Sequence, residues 1–151
     1  MRLGDNFGVS TFHKVITETD SIYQKLQKYS GLSDAEFWSF VAIRLDGCKH
    51  QHEICSWMLM NRQTVSTALK QLIKKGFVQQ TLSEENQHLK YLSITSEGED
   101  FAKRYIDIVR EAEQDSWQCL SSKEQETLIK LCSKLNHFLD IEAEKVIKNT
   151  L

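Results

Sequence analysis

The 151-residue chain contains no proline, so no position inside a helix lacks a backbone donor or carries the ring that breaks the turn. Its six glycines, Gly4, Gly8, Gly31, Gly47, Gly76 and Gly98, fall in the N-terminal segment or at expected element ends. With none inside a periodic run, the chain reads as mostly helical. No stretch approaches the roughly 20 apolar residues of a membrane helix. The N-terminus carries Arg2 and Asp5 but no apolar run of the kind a signal peptide needs. The four cysteines, Cys48, Cys55, Cys119 and Cys132, have neither CxxC spacing nor the density of a secreted disulfide framework, and the expected compartment is a reducing cytoplasm. There is no GxSxG, no HExxH and no glycine-rich phosphate loop, so no catalytic site and no cofactor is expected and the chain does not read as an enzyme. There is no excess of basic charge either: the formal net charge is −2, which taken alone argues against a nucleic-acid partner.

The distribution of charge argues the other way. Between Lys49 and Ser96 six cations (Lys49, Arg62, Lys70, Lys74, Lys75, Lys90) face three carboxylates (Glu53, Glu84, Glu85), a net +3 that leaves −5 for the rest. A basic middle with acidic flanks fits a chain of which only the middle meets phosphate. The stretch His52 to Gly98 has the pattern of a short helix, a tight turn, a second helix, a strand, a polar loop and a return strand. Asn61 is placed to cap the second helix and Gly76 to end it. Val65, Leu69, Leu72 and Ile73, with Ala68 beside them, form its apolar stripe. The opposite face holds Gln63, Thr67, Lys70 and Lys74, with Ser66 at its edge and no carboxylate. An ordinary solvated face is the plain reading of such a helix; amides, hydroxyls and ammonium groups are also what base edges and phosphates require. After Gly76 the period changes to alternation: Phe77 to Leu82 and Leu89 to Thr95 read as strands around a polar tip from Ser83 to His88. Ser96 and Glu99 read as a capping box for the next helix.

In RQTVSTALKQLIKKGFV, from Arg62 to Val78, and ITSEG, from Ile94 to Gly98, the chain resembles the DNA-binding domain of the MarR family of bacterial transcription regulators. The resemblance implies a mostly α fold with a small β-wing: a winged helix-turn-helix at about 33–98, framed by dimerisation helices at about 10–30 and 99–148, all within one domain of 1–151. It also implies a cytoplasmic, homodimeric, ligand-responsive repressor. On it, Gln63 is expected to read a base, Ser66 and Thr67 to contact bases or phosphate, and Arg62, Lys70 and Lys74 to supply charge, with Lys90 and His88 contributing from the wing. Trp38, Phe40, Tyr105 and Trp117 are expected to border an effector pocket, although aromatics at helical spacing are more often plain core. Two positions depart from the family. Where its wing tip usually carries Asp-x-Arg, Asn86 and His88 stand here. Where its turn between the helices often carries glycine, Leu59 stands. The uncharged tip keeps a second reading open, a winged-helix protein-interaction module that does not bind DNA.

Met1 to Val9 reads as a mobile arm. An amphipathic helix is expected over about Ser10 to Tyr29, a second after the Ser33–Glu36 capping box, a long helix from about Glu97 to near Trp117, and a last one opened by Ser121 and Glu124. The first and last helices carry apolar stripes that must pack on something. They can close a monomeric bundle; the resemblance implies instead a second subunit, whose recognition helix lies roughly 34 Å away, one turn of DNA. Cys48, His50, His52 and Cys55 form the one dense cluster of soft ligands, a zinc or redox alternative weakened by single-residue spacing and by a place for Cys55 facing a core.

Overall fold

The computed structural model describes residues 8–82 and 90–150. The expected arm therefore lies outside the described residues except at its end, where Gly8 caps and Val9 opens helix α1 (Val9–Ser30). The elements that follow are α2 (Asp34–Arg44), α3 (Gln51–Met58), α4 (Arg62–Lys74), β1 (Val78–Leu82), β2 (Lys90–Ile94), α5 (Ser96–Tyr105), α6 (Asp107–Gln118) and α7 (Ser122–Thr150). Backbone contacts divide the chain into two compact units, Met1–Val109 and Arg110–Leu151. Among the described residues, no helix is long and apolar enough to cross a membrane.

The first unit is built around α2. Its N-terminus is set by the expected box: the Ser33 N–H donates to the Glu36 carboxylate at 2.8 Å. Phe37, Phe40, Val41, Ala42 and Ile43 are all buried, so this helix is apolar on most of its circumference and sits between its neighbours. Ile54 of α3, Val65 and Leu72 of α4, Val78 of β1 and Ile106 complete a wholly buried core. Each such side chain contributes about 1.5–3 kcal/mol by leaving water. The strands pair antiparallel, with Val78 opposite Ile94 and Gln80 opposite Leu92. The Leu92 N–H also donates to the Lys49 carbonyl at 2.8 Å, so the segment before α3 docks on β2. The architecture is thus a mostly helical winged helix-turn-helix.

Four expectations need correction. The cap of α5 is Thr95, not Ser96: its hydroxyl oxygen accepts the Gly98 N–H at 3.0 Å while its O–H donates to the Gly76 carbonyl. Gly98 does not end an element but sits in the first turn of α5, pressed on the Phe77 backbone; a Cβ there would lie 2.7 Å from the Ile94 Cγ2 and closer still to the Phe77 carbonyl oxygen. The long helix from Glu97 is interrupted at Ile106, where the backbone tightens and the Val109 N–H bonds the Ile106 carbonyl. Wholly buried Ile106 fixes that break in the core. Ile73 is more than a third exposed, so the buried stripe of α4 is Val65, Ala68, Leu69 and Leu72.

In the second unit, Ser121 and Glu124 form the expected box, with the Ser121 N–H donating to Glu124 at 2.8 Å. The Gln125 amide ties the turn by donating to the Trp117 and Leu120 carbonyls. Along α7, Leu128, Leu131, Leu135, Phe138, Leu139, Val146 and Ile147 are exposed. In the first unit, Phe12, Val15, Ile16 and Ile22 of α1 are exposed as well.

Candidate nucleic-acid interface

Helix α4 is the centre of the site. The Asn61 side chain accepts the Thr64 N–H at 2.8 Å, fixing where the helix starts. At 100° per residue, burying Val65, Ala68, Leu69 and Leu72 turns Gln63, Thr67, Lys70 and Lys74 outward, and all four are exposed. Ser66, at the edge, is half-buried. The Thr67 hydroxyl donates to the Gln63 carbonyl at 3.0 Å, which leaves its oxygen to accept. Arg62 is exposed at the start of the helix and Lys90 at the start of β2. His88 and Asn86 lie outside the described residues.

The cations of this region are not equivalent. Lys75 is spent on Glu36, with Nζ 2.6 Å from the carboxylate. Burial pushes the Glu36 carboxyl up, but the Lys75 ammonium and the Ser33 donors together hold it below its ordinary range. Lys70 and Lys74 face outward on the same helix. Farther from α4, Arg44 makes a bidentate pair with Asp107 (3.2 and 3.0 Å) and reaches Glu99, tying α2 to the start of α6.

Two clefts flank the outward face. One, about 700 Å³, lies beside Gln63, Thr64, Thr67 and Gln71 and reaches the N-terminus of α2 at Ser33 and Glu36. The other, about 540 Å³, opens on the Arg62 side between α3 and the strands. The turn joining α3 to α4 is made by Leu59 in the left-handed region, φ 52° and ψ 32°, so a non-glycine residue takes the conformation that glycine usually supplies.

Of the soft-ligand cluster, Cys48 is buried; burial, with Glu53 and Asp46 nearby, pushes its thiol up and makes it a poor nucleophile. Cys55 packs against the core. Among the described residues, no group of three or more His, Cys, Asp or Glu is placed to hold a metal ion. The four aromatics expected at an effector pocket have different surroundings. Phe40 is wholly buried against the Phe77 and Phe101 rings. Half-buried Trp38 meets Tyr23, Phe37 and Trp57. Tyr105 meets Tyr29 and Phe101, and Trp117 belongs to the second unit. What the sequence did not reveal are the joints that the start of α3 makes, where Gln51 donates to the Arg62 carbonyl of α4 at 2.8 Å and His50 to the Lys90 carbonyl of the wing at 3.1 Å. The only sequence signal for them was the pairing of His50 with His52.

No protein-family model matches the chain, and no curated protein does. Solved structures do. NMB1585, a MarR family regulator from Neisseria meningitidis, superposes with a TM-score of 0.72 at 18% identity, over 93% of this chain and 97% of that one. The S. aureus MepR–DNA complex gives 0.66 at 21% identity, over 89% and 99%. A mutant MarR from E. coli complexed with operator DNA gives 0.64 at 18% identity, over 84% and 94%. At these identities the likeness speaks for the backbone: this chain has the winged helix-turn-helix fold of the MarR family regulators.

Proposed function

We propose that the protein is a sequence-specific DNA-binding transcription regulator that acts as a homodimer, most simply a repressor. The observation that carries this reading is the outward face of α4. It presents one amide, one hydroxyl and two ammonium groups with no carboxylate among them, on a helix whose opposite side is fixed in the core. In this reading Gln63 meets a base edge, Thr67 and Ser66 a base or phosphate, and Arg62, Lys70, Lys74 and Lys90 the backbone. That two structures of the same fold are complexes with DNA supports it. The exposed apolar faces of α1 and α7 support the dimer, since a stable chain rarely leaves such stripes in water. An effector that shifts the spacing of the two recognition helices belongs to the same reading, with half-buried Trp38 and Tyr105 as its contacts.

The test begins by selecting bound duplexes from a random pool. Fluorescence-anisotropy titrations of Gln63→Ala and Lys70→Ala then follow on the selected and on an unrelated duplex across a salt series. Gln63→Ala should cost about 1–3 kcal/mol on the selected duplex and little on the other, because only the former offers the matching edge. Lys70→Ala should weaken both alike and flatten the salt slope by roughly one unit per lost contact. Identical profiles for the two variants, or no effect from either, would remove α4 as the reading face. A protein that retains its fold but enriches no duplex would favour the interaction module instead.

A further inference from the structure

His50 is the hinge pin of an unassigned cleft. It is the N-cap of α3, and its backbone N–H donates to the Glu53 carboxylate at 2.9 Å. Its Nδ1 lies 3.1 Å from the Lys90 carbonyl. A carbonyl can only accept, so Nδ1 carries a proton and Nε2 is the nitrogen left to take another. The ring packs on Tyr91 at 4.5 Å and stacks on His52 at 5.4 Å with 16° between planes. The cleft of about 540 Å³ that opens there is lined by His50, His52, Gln51, Ser56, Arg62, Gln80, Lys90 and Cys55. Its walls carry Arg62, Lys90 and the two imidazoles, and among the described residues no carboxylate lines it.

We propose that this cleft is a phosphate seat, and that a proton on the His52 imidazole, stacked on His50, completes it. The proposal rests on the DNA-binding reading and names the occupant: one backbone phosphate of the duplex, entering on the Arg62 flank of α4. The chemistry follows from what faces the two rings. From α4 comes Arg62; from β2 come Lys90 and Tyr91; from β1 comes the neutral Gln80; and from α3 itself come Glu53 and Cys55. Hydrogen bonds, first from the Lys49 N–H and then from His50, together with the two imidazoles, hold the Glu53 carboxyl low although burial opposes them. Glu53 is thus a fixed anion behind the ring pair. A phosphate seated among Arg62, Lys90 and the rings favours the charged form of an imidazole beside it, so its binding draws a proton onto His52, and by linkage a lower pH tightens the complex. The imidazole is the side chain suited to this between pH 5 and 8. His50 is a positioning residue: its Nδ1–H bond to the Lys90 carbonyl holds its ring at the wing, and His52 stacks on that ring.

The test is anisotropy titration of the full chain on the selected and the unrelated duplex at pH 6, 7 and 8, each across a salt series. Wild-type affinity should rise about five- to tenfold per cleft from pH 8 to 6, equally on both duplexes, because a phosphate carries no sequence information. Its salt slope should steepen by roughly 0.9 per cleft at pH 6. His52→Gln should lose the part of the gain that this cleft carries, and the added slope with it. His52→Arg should bind at pH 8 as the wild type binds at pH 6, with no remaining pH dependence from this cleft. His50→Gln, checked for retained helicity, should weaken the gain through misplacement of His52. Two histidines exposed elsewhere among the described residues, His13 and His137, serve as controls, and glutamine at either should leave the pH profile intact. A profile unchanged in His52→Gln, or one abolished by His137→Gln, overturns the proposal, as does a gain confined to the selected duplex. If the wild type binds no duplex at any pH, it is the DNA-binding reading that fails.

Discussion

Replacing Leu59 with glycine should make the protein more stable, although it deletes a leucine. Leu59 joins α3 to α4 at φ 52° and ψ 32°, and the Met60 N–H closes the turn on the Cys55 carbonyl at 3.2 Å. An L-residue in this region carries about 1–2 kcal/mol of steric cost that glycine avoids. The side chain is 92% exposed, so its removal forfeits almost none of the burial energy that a core leucine holds. Against the gain stands the larger conformational freedom of glycine in the unfolded chain, about 0.5–1 kcal/mol. The balance favours Leu59→Gly by about 0.5–1 kcal/mol. For 151 residues the unfolding entropy is on the order of 0.3 kcal/mol/K, so Tm should rise by about 2–3 °C. Thermal melts at one fixed protein concentration measure this, a precaution that matters for any oligomer. Leu59→Ala keeps the Cβ and should not gain; Leu59→Asn should fall between. If Leu59→Gly melts at or below Leu59→Ala, the turn stores no strain that a side chain causes, and the left-handed geometry costs this protein nothing.

Gly98→Ala should cost about 3 kcal/mol or more, seen as a lowered urea midpoint, because the added carbon meets the Phe77 backbone and not the end of a flexible side chain. The Glu36 carboxyl is held low in the folded protein, so its contribution is present above about pH 4.5 and is lost as pH falls through the lowered value. Glu36→Gln should therefore cost about 1–2 kcal/mol at pH 7, the figure being tempered by the one-third exposure of Lys75, and should flatten the acid limb of the stability profile in urea titrations between pH 3 and 7. Light scattering should report twice the chain mass for the wild type; a charge placed on the exposed stripe of α7, as in Leu135→Glu, should shift it toward the single-chain mass without loss of helicity. His88→Ala should remove only the part of any affinity gain between pH 7.5 and 6 that the wing tip carries, and an unchanged pH dependence in that variant would leave the tip no role as a proton-linked contact.

Local signals placed most of the elements. Ser33 with Glu36, Asn61, and Ser121 with Glu124 are caps made within four residues, and each was readable because both partners lie in one short window. The apolar period of α4 gave its buried side almost completely; Ile73 failed because toward the C-terminal end of the helix the stripe narrows, and only Leu72 is still buried there. The cap of α5 was misplaced by one residue because Thr95 and Ser96 are both good caps. Thr95 holds the place through a bond to the Gly76 carbonyl, 19 residues away. The break at Ile106 had no local signal at all. A β-branched residue is an unremarkable helix member, and what fixes the interruption is its complete burial together with the fork that Arg44 of α2 makes on Asp107 next to it.

The candidate site divides along the same line. The outward face of α4 follows from its inward face, since a helix that buries Val65 and Leu72 has no freedom in where Gln63, Lys70 and Lys74 point. Charge counting could not go as far. Lys75 is adjacent to Lys74 and identical to it in any composition, yet it is neutralised by a glutamate 39 residues earlier and contributes little to the outward field. His50 and His52 show the converse. Their residue type first suggested metal, because both are close in sequence to two cysteines, although the single residue between them weakened that reading. In the fold Cys48 is buried and Cys55 packs against the core at the cleft wall, while His50 turns toward Lys90 and Tyr91 and stacks on His52. The same residue types thus pass from a ligand set to a proton-linked anion site once the strand that supplies Lys90 is brought alongside. That strand is 40 residues away in the chain, and its docking depends on the Leu92–Lys49 backbone bond, which no side-chain pattern encodes.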